Sequence, residues 1–192
     1  MAAHGVWLTI NEVRLLATAG VSVAHCPVSN MKLASGGVAP VTEMLAENVN
    51  VCLGTDGCSS NNSLDMFSEM KFASLLHKAS RWDATALNAQ QCLDMATVQA
   101  AKAIGAEKLL GSIEPGRKAD LVILDCNNAS MAPSRSENAV ASIVYANSSR
   151  AVRDTIVDGK FVLRNGEIVT VEEQKVVASA QDAAQELMNR SR

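Results

Sequence analysis

The sequence predicts an α/β fold of parallel βα units that passes into a β-rich region, and three observations carry that prediction. Apolar strand-like runs alternate with amphipathic helical runs up to about residue 57. Each of those strand-like runs ends on a polar, chemistry-bearing side chain: His4, then His25, then Asp56. Beyond Gly105 the helical period gives way to short β runs separated by Pro-Gly, Asp-Gly and Asn-Gly pairs, which favour tight turns.

The first run, "MAAHGVWLT", allows a strand only up to His4. A strand usually needs about five residues, so this one reads as a truncated element. Thr9 can cap a helix through "INEVRLLATAG", with Glu12 three residues on as capping-box partner and Gly20 as the stop. "VSVAHCP" reads as a short buried strand ending at His25, and "VAPVTEMLAENV" as an amphipathic helix with Pro40 near its start. "NVNVCLGTDG" is the third strand, stopping on Asp56 before a glycine. In parallel sheets the reacting groups gather at the carboxyl ends of the strands, so three successive polar ends point to a site on one rim.

From residue 64 the pattern turns helical. "SLDMFSEMKFASLLHKA" puts Leu64, Phe67, Met70, Phe72, Leu75 and Leu76 mostly on one face, as core packing. His77, near the end of that helix, reads as a charge that favours the helix dipole. "AQQCLDMA" and "VQAAKAIG" are shorter helices, with Asn88 and Thr97 as caps and Gly105 as a stop. The β runs that follow are "GSIEPGRKADLVILD", "ASIVYA", "VRDTIVDG" and "KFVLRNGEIVTV". A domain change is therefore expected near residue 105, dividing the chain into residues 1–104 and 105–192. A last polar, Ala-rich helix over about residues 171–190 is expected on the surface.

The 192 residues carry a formal charge of −3 and no basic stripe, which argues against a nucleic-acid or anionic-membrane partner. The five cysteines show no CxxC spacing, and no signal peptide or long apolar span stands out. These features lead to the expectation of a soluble protein of the reducing cytoplasm, its cysteines buried as small apolar side chains.

The segments "AHGVWLT", "VAHCPVSNMKLASGGVAP", "LGTDGCSSNNSLDMFSEMKFASLLHKA" and "GSIEPGRKADLVILD", in that order, resemble the metal-dependent amidohydrolase superfamily. Within it they are most similar to the methylthioadenosine/S-adenosylhomocysteine deaminases, with triazine chlorohydrolases and guanine deaminases as near relatives. The resemblance implies an incomplete (β/α)8 TIM-type barrel, of which these are the last three βα units, followed by part of a small β-sandwich. It implies zinc, or alternatively iron, as cofactor and a small purine-type substrate that loses its amine to water. Asp56 matches the acid that binds the metal and accepts a proton from its water. His4 matches the histidine that contacts the leaving-group side or the hydrolytic water. His25 and Asn30 belong to an "HxPxSN" segment that lines the substrate pocket, and Ser60, four residues after the acid, is a candidate partner for its carboxylate.

The same resemblance exposes a departure. The family pattern also includes an HxH pair, a further strand-end histidine and a glutamate beyond it, whereas the histidines here are His4, His25 and His77. A catalytic zinc normally takes three protein ligands plus water, and this chain offers Asp56 with His4 nearby. The expectation is a chain that binds metal weakly or not at all alone, is silent by itself, and self-associates or pairs with a complementing N-terminal segment. The rival is a non-catalytic remnant serving as an interaction protein. A thiol mechanism at Cys26 beside His25, or at Cys58, fits less well, because adjacent strand residues point to opposite faces.

Overall fold

In the computed structural model, which describes residues 1–146 and 148–190, small and β-branched residues form three short strands that pair in parallel. These are β1 (Ala2–Ala3), β2 (Val23–His25) and β3 (Val51–Leu53), in the order β1-β2-β3. Val23 lies opposite Ala2 on one side and Val51 on the other, which aligns the carboxyl ends of all three strands. The helices between them are α1 (Ile10–Thr18), α2 (Pro27–Leu33) and α3 (Val41–Ala46). Thr9 and Glu12 form the expected reciprocal cap of α1, a device worth about 1 kcal/mol.

After β3 come a single turn of helix, α4 (Cys58–Asn61), and the long α5 (Met66–Arg81), capped by the Asp65 carboxylate on the amides of Phe67 and Ser68. Then follow α6 (Ala89–Ala96), capped by Asn88 with Gln91 in reciprocal contact, and α7 (Val98–Ala103). Thr97 does not cap α7 through its side chain; its hydroxyl donates back to the Leu93 carbonyl at 2.7 Å. Val13, Val23, Met44, Val51, Met95 and Val144 are fully buried together, so strands and helices share one aliphatic core.

The chain divides into two compact units, and the division differs from the expected break near residue 105. One unit comprises residues 1–117 and 126–151, the other residues 118–125 and 152–192. Residues 105–117 stay with the first unit: Ala106 donates to the Ala101 carbonyl at 2.8 Å, Gly111 lies against Val98 and Ala101 of α7, and Arg117 closes the segment on the carbonyls of Glu107 and Leu110. "ASIVYA", expected as a β run, is instead helix α8 (Ala139–Tyr145). Its Tyr145 hydroxyl meets buried Ser74 of α5 at 2.7 Å, and helical spacing lets Val144 reach the core. The second unit holds β4 (Leu121–Leu124), β5 (Val152–Val157), β6 (Lys160–Arg164) and β7 (Glu167–Ile168), one antiparallel sheet in the order β4-β5-β6-β7. A sandwich needs a second layer, and among the described residues this unit has one sheet. Helix α9 (Glu173–Arg190) buries no side chain. Among the described residues, no helix is long and apolar enough to cross a membrane.

Two expectations about packing need correction. The buried face of α5 is Glu69, Met70, Ala73, Ser74 and His77, while Leu64, Phe72 and Leu75 are exposed. A period counted on apolar residues alone missed it, because three of the five inward positions are polar. Cys26, Cys52 and Cys92 are buried as expected, but Cys58 and Cys126 are exposed.

Candidate active site

The ladder of β3 ends before the acid. Gly54 donates to the His25 carbonyl at 2.9 Å, and then the chain leaves the sheet, so Asp56 lies three residues past the last strand residue, in the left-handed region at φ 61°. His4, just after β1, has φ 65°. Asp and His are among the non-glycine residues that tolerate this conformation best, and in both cases it turns the chain away from the strand direction at the sheet's mouth.

With no ladder to hold it, the Asp56 carboxylate is held by side chains. Ser29 Oγ donates to its Oδ2 at 2.6 Å and Ser60 Oγ donates to the same oxygen at 2.9 Å. These two hydroxyls lower the Asp56 pKa, with the Gly57 amide and the nearby His4 adding to the effect. Ser60 thus stands where its four-residue spacing put it. Ser29 was missed, although it sits inside the "HxPxSN" segment beside Asn30.

His4 and Asp56 face one cleft of about 460 Å³, lined also by Trp7, Leu8, Leu33 and Asn30. His4 Nδ1 lies 2.9 Å from Asn30 Oδ1. With that oxygen accepting, Nδ1 carries a proton, and in the neutral ring Nε2 is left as an acceptor. Trp7 is 78% exposed and packs one edge of its indole against Gly36, where a Cβ would stand 2.8 Å from the ring.

His25 does not line this cleft. It is 1% exposed, lines a second cavity of about 300 Å³ beside Asn30, and lies against His77 with ring centroids 5.3 Å apart and planes tilted by 58°. The two Nε2 atoms are 3.4 Å apart, and the Nδ1 atoms of both rings have no hydrogen-bond partner among the described residues. Burial, aided by the neighbouring histidines, pushes His25 down to about 3. Burial, then Arg81, lowers His77 to about 4. His77 is therefore a neutral core residue, not the helix-end charge its position suggested.

Among the described residues, no three His, Cys, Asp or Glu side chains stand close enough to hold a metal ion. A structural or catalytic zinc needs at least three protein donors. Asp56, with one oxygen committed to two serines, fits as a single ligand, and these residues alone do not make a complete site.

The amidohydrolase family model matches residues 1–162. A 5'-deoxyadenosine deaminase of Methanosarcina mazei is 49% identical over 190 residues, covering 99% of this chain and 43% of the relative. A 5-methylthioadenosine/S-adenosylhomocysteine deaminase of Moorella thermoacetica is 47% identical, covering 93% of this chain and 41% of that protein. The crystal structure of an adenosine deaminase from Xanthomonas campestris with bound zinc aligns at a TM-score of 0.93 with 40% identity, over 98% of this chain and 42% of that one. A zinc complex of atrazine chlorohydrolase from Arthrobacter aurescens aligns at 0.85 with 25% identity, over 94% and 39%. The chain spans less than half the length of the curated relatives it matches.

Proposed function

Since the chain belongs to the amidohydrolase family, we propose that it is part of a hydrolase that removes the amine of an adenine-type nucleoside, such as S-adenosylhomocysteine or methylthioadenosine. The observation that carries this reading is the Asp56 carboxylate, clamped by Ser29 and Ser60 and facing the same cleft as His4. The deaminases among its relatives favour an adenine base over the triazine or guanine alternatives. The three parallel strands are read as the last three βα units of a TIM-type barrel, and the antiparallel sheet as part of a β-sandwich.

Water attacks the amine-bearing ring carbon, and Asp56 takes one of its protons. The carbon's π bond to the ring nitrogen opens onto that nitrogen during attack and re-forms as the exocyclic carbon–nitrogen bond breaks. The proton goes to the departing nitrogen, ammonia leaves, and the 6-hydroxypurine tautomerises to the ketone. His4 Nε2 accepts a hydrogen bond from the water or the amine, its orientation fixed by Asn30. In the whole protein Asp56 would also be one ligand of a divalent cation, with zinc favoured by the zinc-bound neighbours and iron the alternative. The remaining donors would come from a complementing segment or from a second copy of the chain.

The test is to co-purify this chain with the portion of the Methanosarcina mazei relative that it does not cover, and to follow ammonia release from S-adenosylhomocysteine. Zinc-dependent release is expected; a stable complex that releases none would overturn the proposal. A second measurement probes the cleft directly. Trp7 offers a flat apolar face suited to a purine ring, and the chain's other tryptophan is Trp82. In the complex, S-inosylhomocysteine, the deamination product, should quench the emission saturably with a W82F chain and not with a chain carrying both W7F and W82F. Unsaturable quenching would remove Trp7 from the site.

A further inference from the structure

We propose that Glu69 is a positioning residue that fixes Asp56 by tying together the two segments that clamp it. Glu69 lies in the first turn of α5 and is 1% exposed. An acid in the first turn suits the helix dipole, but an exposed position would serve that purpose equally well, so the dipole does not explain the burial. Burying a carboxylate is costly unless its oxygens are satisfied.

Both oxygens are satisfied, and by informative partners. Oε1 accepts from Asn61 Nδ2 at 2.6 Å, and Oε2 accepts from the Val28 amide at 3.4 Å. Val28 immediately precedes Ser29, and Asn61 immediately follows Ser60, the two serines that donate to Asp56. Asn61 Nδ2 also donates to the carbonyl of Thr55, the residue before Asp56, at 2.6 Å. One buried side chain therefore joins α2 to the α4 turn, next to every contact that holds the acid.

The geometry also explains why the residue is a carboxylate. Two donors converge on it from separate segments, so two acceptor oxygens are required. A glutamine would turn an NH2 toward one of those donors. Apolar packing could fill the space but could not restrain a chain that has already left the ladder at Gly54.

The role rests on reading Asp56 as the site's carboxylate, but its test does not read activity, so the two can fail separately. The 192-residue chain would be isotope-labelled and compared by NMR as wild type, E69Q, N61A and S74A. Ser74 is the control: it is buried on the same helix, yet bonds the Leu87 carbonyl and the Tyr145 hydroxyl instead. In E69Q the Val28 amide should exchange about tenfold faster at matched stability, as expected for losing a hydrogen bond to a charged group. The amide resonances of Ser29, Asp56 and Gly57 should move as well. N61A should move those of Asp56 and Gly57 while leaving the Val28 amide protected, and S74A should move none of them. Unmoved Asp56 and Gly57 resonances in E69Q, or equal movement in S74A, would overturn the proposal. If E69Q does not fold, E69D, which keeps the charge but draws the carboxylate back by one methylene, decides by the same criterion.

Discussion

Exchanging Asp56 for asparagine in the complemented protein should lower ammonia release by about 10²- to 10⁴-fold, the range typical of a lost proton acceptor in the transition state. The exchange is nearly isosteric, and its structural consequences are small for reasons visible in the site. Asparagine accepts the left-handed backbone that Asp56 adopts at φ 61°. Its amide oxygen can accept both the Ser29 and Ser60 hydroxyls, which converge on a single oxygen of the acid. What disappears is the negative charge and the basic oxygen facing the cleft. A large fall in turnover with only a small fall in melting temperature, from the lost charge that the Ser29 and Ser60 hydroxyls favour, is the expected signature. Turnover equal to that of the parent would take Asp56 out of the chemistry.

How much of this site could be read from the chain depended on which interactions are local in sequence. Thr9 with Glu12 and Asp56 with Ser60 lie three or four residues apart, and spacing alone revealed them; Asn88 was legible as a cap, but its reciprocal partner Gln91 was not read. The alternation of β2 and β3 with intervening helices was equally plain, because burial on both faces leaves continuous apolar runs. By contrast, Ser29 reaches Asp56 across 27 positions, and Glu69 reaches Val28 across 41. No local pattern encodes such pairs. His77 was misread for a related reason: a helix-end position suggests a charge, while its partner His25 lies 52 residues away. Residues 141–145 were misread because "ASIVYA" is apolar enough for either element, and only packing against α5 and α6 selects the helix. The discontinuous unit boundary escaped notice because composition does not record a chain that leaves a core and returns to it.

Acidification from pH 7 to about 4.5 should destabilise the chain steeply, and the His25–His77 pair should be the main cause. Each ring holds its proton less tightly when folded: about 3 for His25 and about 4 for His77, against 6.5 in the open chain. Between pH 6.5 and about 4 the unfolded chain therefore binds more protons than the folded one. Stability is full above pH 6.5 and is lost as the pH falls through that window. Two protons over about two pH units correspond to roughly 5 kcal/mol, a large part of the 5–15 kcal/mol that typically holds a domain together. The neutral pair also needs one Nε2 to donate and the other to accept, an arrangement that double protonation abolishes. Carboxylates with lowered values, such as Asp56 and Asp154, lose their contribution only below about 3.8, beneath this window. Glu69, raised by burial, acts in the opposite sense and softens the lower end. Urea midpoints measured from pH 8 to 4.5 should stay level down to about 6.5 and then drop. A His77→Leu variant should keep a shallower drop, having lost one of the two buried bases. A midpoint that stays level throughout, or an equal slope in that variant, would show that the paired imidazoles do not govern the acid response.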